Sequence, residues 1–370
     1  MSTDIARRNS PPVADKSVAG RVNLLDLTLD ELTRFIQELG QPAFRARQLW
    51  KWIWAKGEKD FSRMSDLALS LRAALEESAC VSRPEVLVKQ ESCDGTVKFL
   101  LRLADGGTVE SVIIPSESRQ GKERLTLCLS CQVGCGMGCT FCSTGGMGFT
   151  RNMTMGEILG QVLVAGDYLR NIPGGQPLRN LVFMGMGEPL LNLSEVLRSL
   201  ETLNSASGLS FSPRRITVST CGMRQGLKEL GESGLCYLAV SLHAPNQALR
   251  EKIMPKAARG LPLDDLLTVL RNYPLRARER LTFEYLLLGG VNDSAAEAAE
   301  LAKIMSRIKG KLNLILYNPV PGSPYKAPDT ETAQAFAHYL QNKNITATLR
   351  KSKGQDIMAA CGQLRSAEKS

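Results

Sequence analysis

LTLCLSCQVGCGMGCTFCSTGGMGF, Leu125 to Phe149, joins an apolar strand-type run to a glycine-rich loop. Five of the ten cysteines in the 370-residue chain lie in it: Cys128, Cys131, Cys135, Cys139 and Cys142. The strand-then-loop order repeats downstream. NLVFMGM, RITVST, CYLAVSLH, LTFEYLLL and LNLILYNP read as strands, separated by helical patterns such as MTMGEILGQVLVAGDYL, LSEVLRSLETLN and SAAEAAELAKIMSRI. Thr154 with Glu157 and Ser294 with Glu297 form capping boxes that mark two helix starts. Six βα units predict an α/β fold, a parallel sheet curled into a full or partial (β/α)6 barrel. Chemistry in such folds gathers at the C-terminal ends of the strands. The polar tips GMGEP, STCG, SLHAP and NPVPGSP fall there, and a last strand, ITATLRKS, leads into the tail KGQDIMAACGQL.

Upstream of the loop the character differs. Residues 1–21 are polar, carry two prolines and lack an apolar signal core, so they read as a flexible tail. Residues 22–92 are expected to form a small helical accessory domain, a candidate for binding RNA, with Thr28 and Glu31 capping its first helix. Residues 93–120 contain two strand runs joined by Asp105-Gly106, a hairpin signal, and 121–370 form the core. No apolar run reaches the roughly 18 residues of a membrane span, so a cytoplasmic location is expected. Thiols stay reduced there, and clustered cysteines bind metal or do chemistry more often than they form structural disulfides.

The formal net charge of +9 favours a polyanionic partner, usually nucleic acid; a basic protein without one is the alternative. FRARQLWKWIWAKGEK, RNYPLRARER and LRKSKG are the candidate phosphate contacts. Trp50, Trp52 and Trp54, each two residues from the next, do not all share a helix face, and at least one is expected in the core.

For the cysteines three readings compete: a zinc site, a reactive dithiol at CLSC, and an iron–sulfur cluster. Cys135, Cys139 and Cys142 have C-x3-C-x2-C spacing with an aromatic before the last, directly after the first barrel strand. This resembles the signature of radical S-adenosylmethionine (SAM) enzymes, in which three thiolates hold a [4Fe–4S] cluster and one iron is left for SAM. At the strand tips, Gly187 and Glu188 (an ammonium partner), Ser219, Ser241, Leu242, His243 and Asn318 are the candidate SAM contacts. Each has an ordinary reading beside it: Glu188 a solvated loop carboxylate, His243 a satisfied core histidine, Asn318 a turn residue before Pro319.

CLSCQVGCGMGCTFCSTGGMGF, FMGMGEPLLN, ITVSTCGM, AVSLHAPN, YNPVPGSPY and KGQDIMAACGQL together resemble the RlmN/Cfr family of radical RNA methyltransferases from about residue 95 onward, and the N-terminal segment resembles that family's accessory domain. The resemblance implies a partial (β/α)6 radical SAM barrel and methylation of C2 of an adenosine in 23S rRNA and in the tRNA anticodon stem-loop. It implies one [4Fe–4S] cluster on Cys135, Cys139 and Cys142, and two SAM molecules consumed per turnover. It also implies an electron donor such as flavodoxin and its reductase; no membrane contact and a monomer are expected. Cys361 matches the methyl-carrying cysteine, Cys128 the thiol that resolves a protein–RNA adduct by forming a disulfide with Cys361, and Glu110 the acceptor of the C2 proton. By sequence alone Glu110 is an exposed strand carboxylate. The N-terminal domain favours this RlmN-type reaction over the Cfr-type methylation of C8; a zinc-stabilised RNA-binding protein is the non-enzymatic alternative. Two features depart from the family pattern. Cys131 stands where a small hydroxyl residue is expected, and is read as a silent substitution. SESRQGKERL makes a longer, more charged link, read as an RNA contact or a lengthened surface loop.

Overall fold

The computed structural model describes residues 17–18, 20–117 and 123–365. The chain divides between Ser82 and Arg83 into two compact units.

In the first unit the Thr28 side chain accepts from Glu31 N and Glu31 Oε2 accepts from Thr28 N (2.8 Å), closing the expected capping box on the helix Leu29–Glu38. Helices Phe44–Trp50 and Leu69–Ser78 follow. Leu32, Ile36, Leu49, Leu71 and Leu75 are fully buried between them. Trp50 and Trp54, four residues apart, share the inner face with ring centroids 5.6 Å apart, while Trp52 turns outward beneath Lys56. The expected tail lies outside the described residues up to residue 16. Ser17–Val18 pairs antiparallel with Arg21–Asn23, which in turn pairs parallel with Ala79–Cys80, a small sheet the helical reading lacked.

The second unit is built on one ten-stranded sheet. Its strands are β1 (Glu85–Glu91), β2 (Val97–Arg102), β3 (Thr108–Glu117), β4 (Glu123–Cys128), β5 (Leu178–Phe183), β6 (Ile216–Thr220), β7 (Tyr237–Ser241), β8 (Leu281–Leu287), β9 (Gly310–Leu316) and β10 (Ala347–Arg350). From β4 to β10 every neighbouring pair is parallel, with a helix in each crossover from β4 to β9. This is the expected α/β array with its last strand, left open between β10 and β1. β1 to β4 form an antiparallel meander on its edge. The hairpin expected around Asp105-Gly106 is β2–β3. β1 is a strand where helix was expected, because EVLVKQE alternates too weakly to show a buried face: all seven residues are exposed. Of the charged link after β3, residues 118–122 lie outside the described residues. Among the described residues no helix is long and apolar enough to cross a membrane.

Candidate active site

The cysteine loop leaves the C-terminal end of β4 and is closed at its neck. Gln132–Gly134 pairs antiparallel with Phe149–Asn152, and Cys135 N donates to Gly148 O (2.7 Å). Gly134 has φ +74°, and a Cβ there would lie 2.1 Å from Gly148 O, so only glycine lets the two sides meet. Thr140 N donates to Ile253 O (3.0 Å) and Lys256 Nζ to Gly136 O (2.6 Å), tying the loop to the segment after β7.

Cys135, Cys139 and Cys142 sit together, half-buried, over one apolar cluster. Burial pushes the Cys135 thiol up to about 11 and that of Cys139 higher still, and the neighbouring thiols add to both. Thiols that raise one another in this way bind as thiolates once a cationic iron centre offsets their mutual repulsion. Among the described residues no three Cys, His, Asp or Glu side chains are gathered for a single metal ion. A four-iron cluster takes each thiolate on a different iron and needs no such point. The donor set fits a cluster of this kind.

The GMGEP turn after β5 folds against the same loop. Gly187, at φ +105°, lies so close to Gln132 that a Cβ would approach its side chain to 2.6 Å. Glu188 is buried rather than a solvated loop carboxylate: its Oε1 accepts from Thr220 Oγ1 (2.6 Å) and Leu190 N (3.0 Å), and Oε2 from Cys221 N (2.9 Å). Ser219 and Ser241 are half-buried at the ends of β6 and β7, and Leu242 is fully buried next to them. His243 has φ +53°; its Nδ1 accepts from Leu286 N (3.0 Å), and its ring packs edge-on to Phe141 of the cysteine loop. Burial, with the nearby Arg250 charge, lowers its pKa to about 3, so the ring is neutral.

Arg250 escaped the sequence reading, where it looks like one more helix-surface arginine. It is fully buried and donates to Ser241 O (3.1 Å), Leu242 O (2.6 Å) and Cys221 O (2.7 Å), holding the ends of β6 and β7 beneath the loop.

The tail closes the site. Ser143 N donates to Gly362 O (2.8 Å), and Thr144 Oγ1 to Leu364 O (2.6 Å). Asn318, expected as a SAM contact, is spent here at both ends: Nδ2 donates to Cys361 O (3.2 Å) and Oδ1 accepts from Gln355 Nε2 (2.7 Å). The turn between β1 and β2 grips the start of the tail, with Ser92 Oγ on Asp356 Oδ1 (2.6 Å) and Gly354 N on Asp94 Oδ2 (2.9 Å).

Cys128 and Cys361 both line one cavity of about 460 Å³ inside the curled sheet. Cys361 is open to solvent there, yet the surrounding protein, with Glu284 nearby, pushes its thiol up; burial pushes Cys128 up too, and Cys361 adds to it. Arg214, Arg215, Lys311, Arg350, Lys351 and Lys353 also line this cavity, and among the described residues its one lining carboxylate is Glu284, held by Asn313 (2.9 Å). Of the expected basic segments, LRKSKG is therefore at the cavity. Arg276 of RNYPLRARER instead serves structure, bonded to Glu279, Gly234 O and Cys236 O.

Glu110 is not the exposed carboxylate its sequence suggested. It is buried, with Oε1 3.0 Å from Lys98 Nζ and Oε2 accepting from Arg365 N (2.8 Å). Burial raises its pKa, opposed by Lys98. Cys131 is buried beside the loop, its backbone engaged by Met186 O and Asn192 Nδ2.

An open parallel sheet with a three-cysteine loop after its first parallel strand is the arrangement of a radical SAM enzyme, and residues 129–302 match the radical SAM superfamily. Residues 22–81 match the ribosomal RNA large subunit methyltransferase N-terminal domain. The chain is 65% identical to the dual-specificity RNA methyltransferase RlmN of Nitratidesulfovibrio vulgaris (strain DP4), over 94% of this chain and 95% of that one. It is 57% identical to the RlmN of Solidesulfovibrio magneticus, over 93% and 96%. The crystal structure of a radical SAM methyltransferase from Sphaerobacter thermophilus superposes with a TM-score of 0.86 at 41% identity, covering 93% of this chain and 99% of that one. The chain belongs to the RlmN family of radical SAM RNA methyltransferases. Membership implies a [4Fe–4S] cluster and SAM, and sets the zinc reading aside.

Proposed function

We propose that the protein methylates C2 of an adenosine in 23S rRNA and in the tRNA anticodon stem-loop, with Cys361 as methyl carrier. The observation that carries this reading is that Cys128 and Cys361, distant in sequence, line one cavity, with the Cys361 tail bonded to the cysteine loop. C2 of adenine lies between two ring nitrogens and is no nucleophile, so direct displacement at SAM fails. The cluster on Cys135, Cys139 and Cys142, with SAM, would supply the carbon radical that makes this position reactive.

The chain's own residues do the rest. Cys361 sulfur takes a methyl group by displacement, losing its proton. After that methyl carbon has lost one hydrogen atom to the radical and joined the ring, Glu110 takes the C2 proton, and the one unpaired electron left on the adduct would return to the cluster. Cys128 then attacks the Cys361 sulfur; the S–C bond breaks, its electron pair goes to the methylene carbon, and that carbon gains a proton to become the product methyl. Two SAM molecules are consumed. Glu188, held at the strand tips by Thr220, Leu190 N and Cys221 N, is proposed as the partner of the SAM ammonium group. Gly187, Ser219, Ser241, Leu242 and His243 are proposed to complete the SAM site. Asn318 in this structure anchors the tail, and would meet SAM only on exchanging that bond. The first unit is proposed to dock RNA, a flavodoxin-type donor to supply electrons, and the protein to act as a cytoplasmic monomer.

Anaerobic turnover with deuterated-methyl SAM and RNA tests this directly. Mass spectrometry of the nucleosides should give labelled 2-methyladenosine. Labelled 8-methyladenosine would make the reaction Cfr-type, and methylation by Cys361→Ala would refute the carrier.

A further inference from the structure

Lys98 was singled out by nothing in the sequence. It lies on β2 in a hairpin whose register pairs Lys98 with Val112 and Leu100 with Glu110. Lys98 and Glu110 are thus diagonal neighbours on one face, within reach of long side chains. Both side chains are more than nine-tenths buried, and Nζ lies 3.0 Å from Glu110 Oε1. The same ammonium donates to Met358 O (3.3 Å), three residues before Cys361. On the other side of Cys361, Arg365 N holds the second oxygen of Glu110 (2.8 Å). The Lys98–Glu110 pair therefore touches the tail on both sides of the methyl-carrying cysteine.

A lysine buried this completely is costly unless it is paired, and a surface polar residue at this strand position would avoid the cost. What the pair adds is a cation 3.0 Å from a buried carboxylate, opposing the pull of burial toward the protonated form. Alone and buried, Glu110 would hold its proton and could not accept another.

We propose that Lys98 is a positioning residue for the reaction: its ammonium keeps Glu110 ionised and aimed, and links that carboxylate to the segment carrying Cys361. This rests on the reading of Glu110 as the acceptor of the C2 proton. The proton moves from C2 to a Glu110 oxygen while the C–H electron pair returns to the ring, and the one unpaired electron left on the adduct would return to the cluster; Lys98 donates its hydrogen bonds to Glu110 and Met358 O. Around Glu110 the structure sets Lys98 from β2, the backbone N–H of Arg365 from the tail, and the sulfur of Met186, which accepts from Glu110 N (3.3 Å). Lys98 is a charged side chain paired with it.

The test compares Lys98→Met, Lys98→Arg and Glu110→Gln as cluster-loaded enzymes, following single-turnover formation of methylated adenosine against pH, with iron content as the check on folding. A base must be ionised, so the rate rises as pH passes its pKa. Removing the cation raises that pKa, and Lys98→Met should move the rising limb up by about one to three units. Lys98→Arg keeps the charge and should leave the limb near the wild-type position. Glu110→Gln should be slow at every pH. A slow Glu110→Gln beside a Lys98→Met with an unmoved limb overturns the inference alone. A Glu110→Gln that matches wild type overturns the inference together with the base reading. If Lys98→Met fails to load iron, Lys98→Arg decides: a limb displaced despite the retained charge refutes the role given to the ammonium.

Discussion

At the residue scale the thiols divide by surroundings rather than by spacing. Cys135, Cys139 and Cys142 share one loop over one apolar cluster, whereas Cys128 and Cys361 line one cavity rimmed by cations. Cys128→Ala should therefore still take a methyl on Cys361 but stall afterwards, visible as a protein–RNA adduct on denaturing gels. Cys131 is buried close to Glu188, Cys135 and Cys128, with its backbone held by Met186 O and Asn192 Nδ2. Cys131→Ser should keep turnover within about twofold of wild type, since the change is nearly isosteric and cavities form only when volume is lost; a large loss would give that thiol a role. His243 makes a different prediction. Its folded pKa of about 3 lies below the ordinary 6.5, so the unfolded chain binds the extra proton between those values. Its contribution to stability is whole above pH 6.5 and is lost as pH falls toward 3. Denaturation midpoints of His243→Asn should show a shallower decline across that window than wild type.

At the element scale, turns and caps carry the site. Thr154 and Glu157 cap the helix Met155–Arg170 as their spacing predicts, with both reciprocal bonds formed. Thr154→Ala should cost about 1 kcal/mol in a urea titration. The β1–β2 turn does something its sequence did not announce. Asp94 is held at about pKa 2: burial raises it, but hydrogen bonds from Thr96, Gly354 N and Ser92 prevail. It thereby grips the start of the Cys361 tail. Asp94→Ala should release that tail, read as faster proteolysis near Gly354 and slower S-methylation of Cys361 in intact-mass assays, while iron content stays unchanged. No local pattern marks this turn as part of the site, because its partner lies at the other end of the chain.

At the scale of the whole molecule, charge meets topology. The curled sheet brings Arg214 and Arg215 from before β6, Lys311 from β9 and the LRKSKG cations to a single cavity. RNA affinity should fall steeply with salt, and Arg214→Ala with Arg215→Ala should flatten the log–log slope by about 0.7–0.9 per contact removed. RNA-independent S-methylation of Cys361 should stay unchanged. The sequence by itself determined the alternating βα order, the capped helices, the three-cysteine loop and the family motifs, because each is written in residues adjacent along the chain. Periodicity, capping and ligand spacing are local physics. Only the tertiary structure decided that Glu110 is buried against Lys98, that Asn318 and Asp94 hold the tail, that Arg250 braces two strand ends, and that Cys128 and Cys361 line one cavity. Each of those depends on strand register and on closure of the chain over long separations, where burial and pairing across the sheet, not neighbouring sequence, set what a side chain touches.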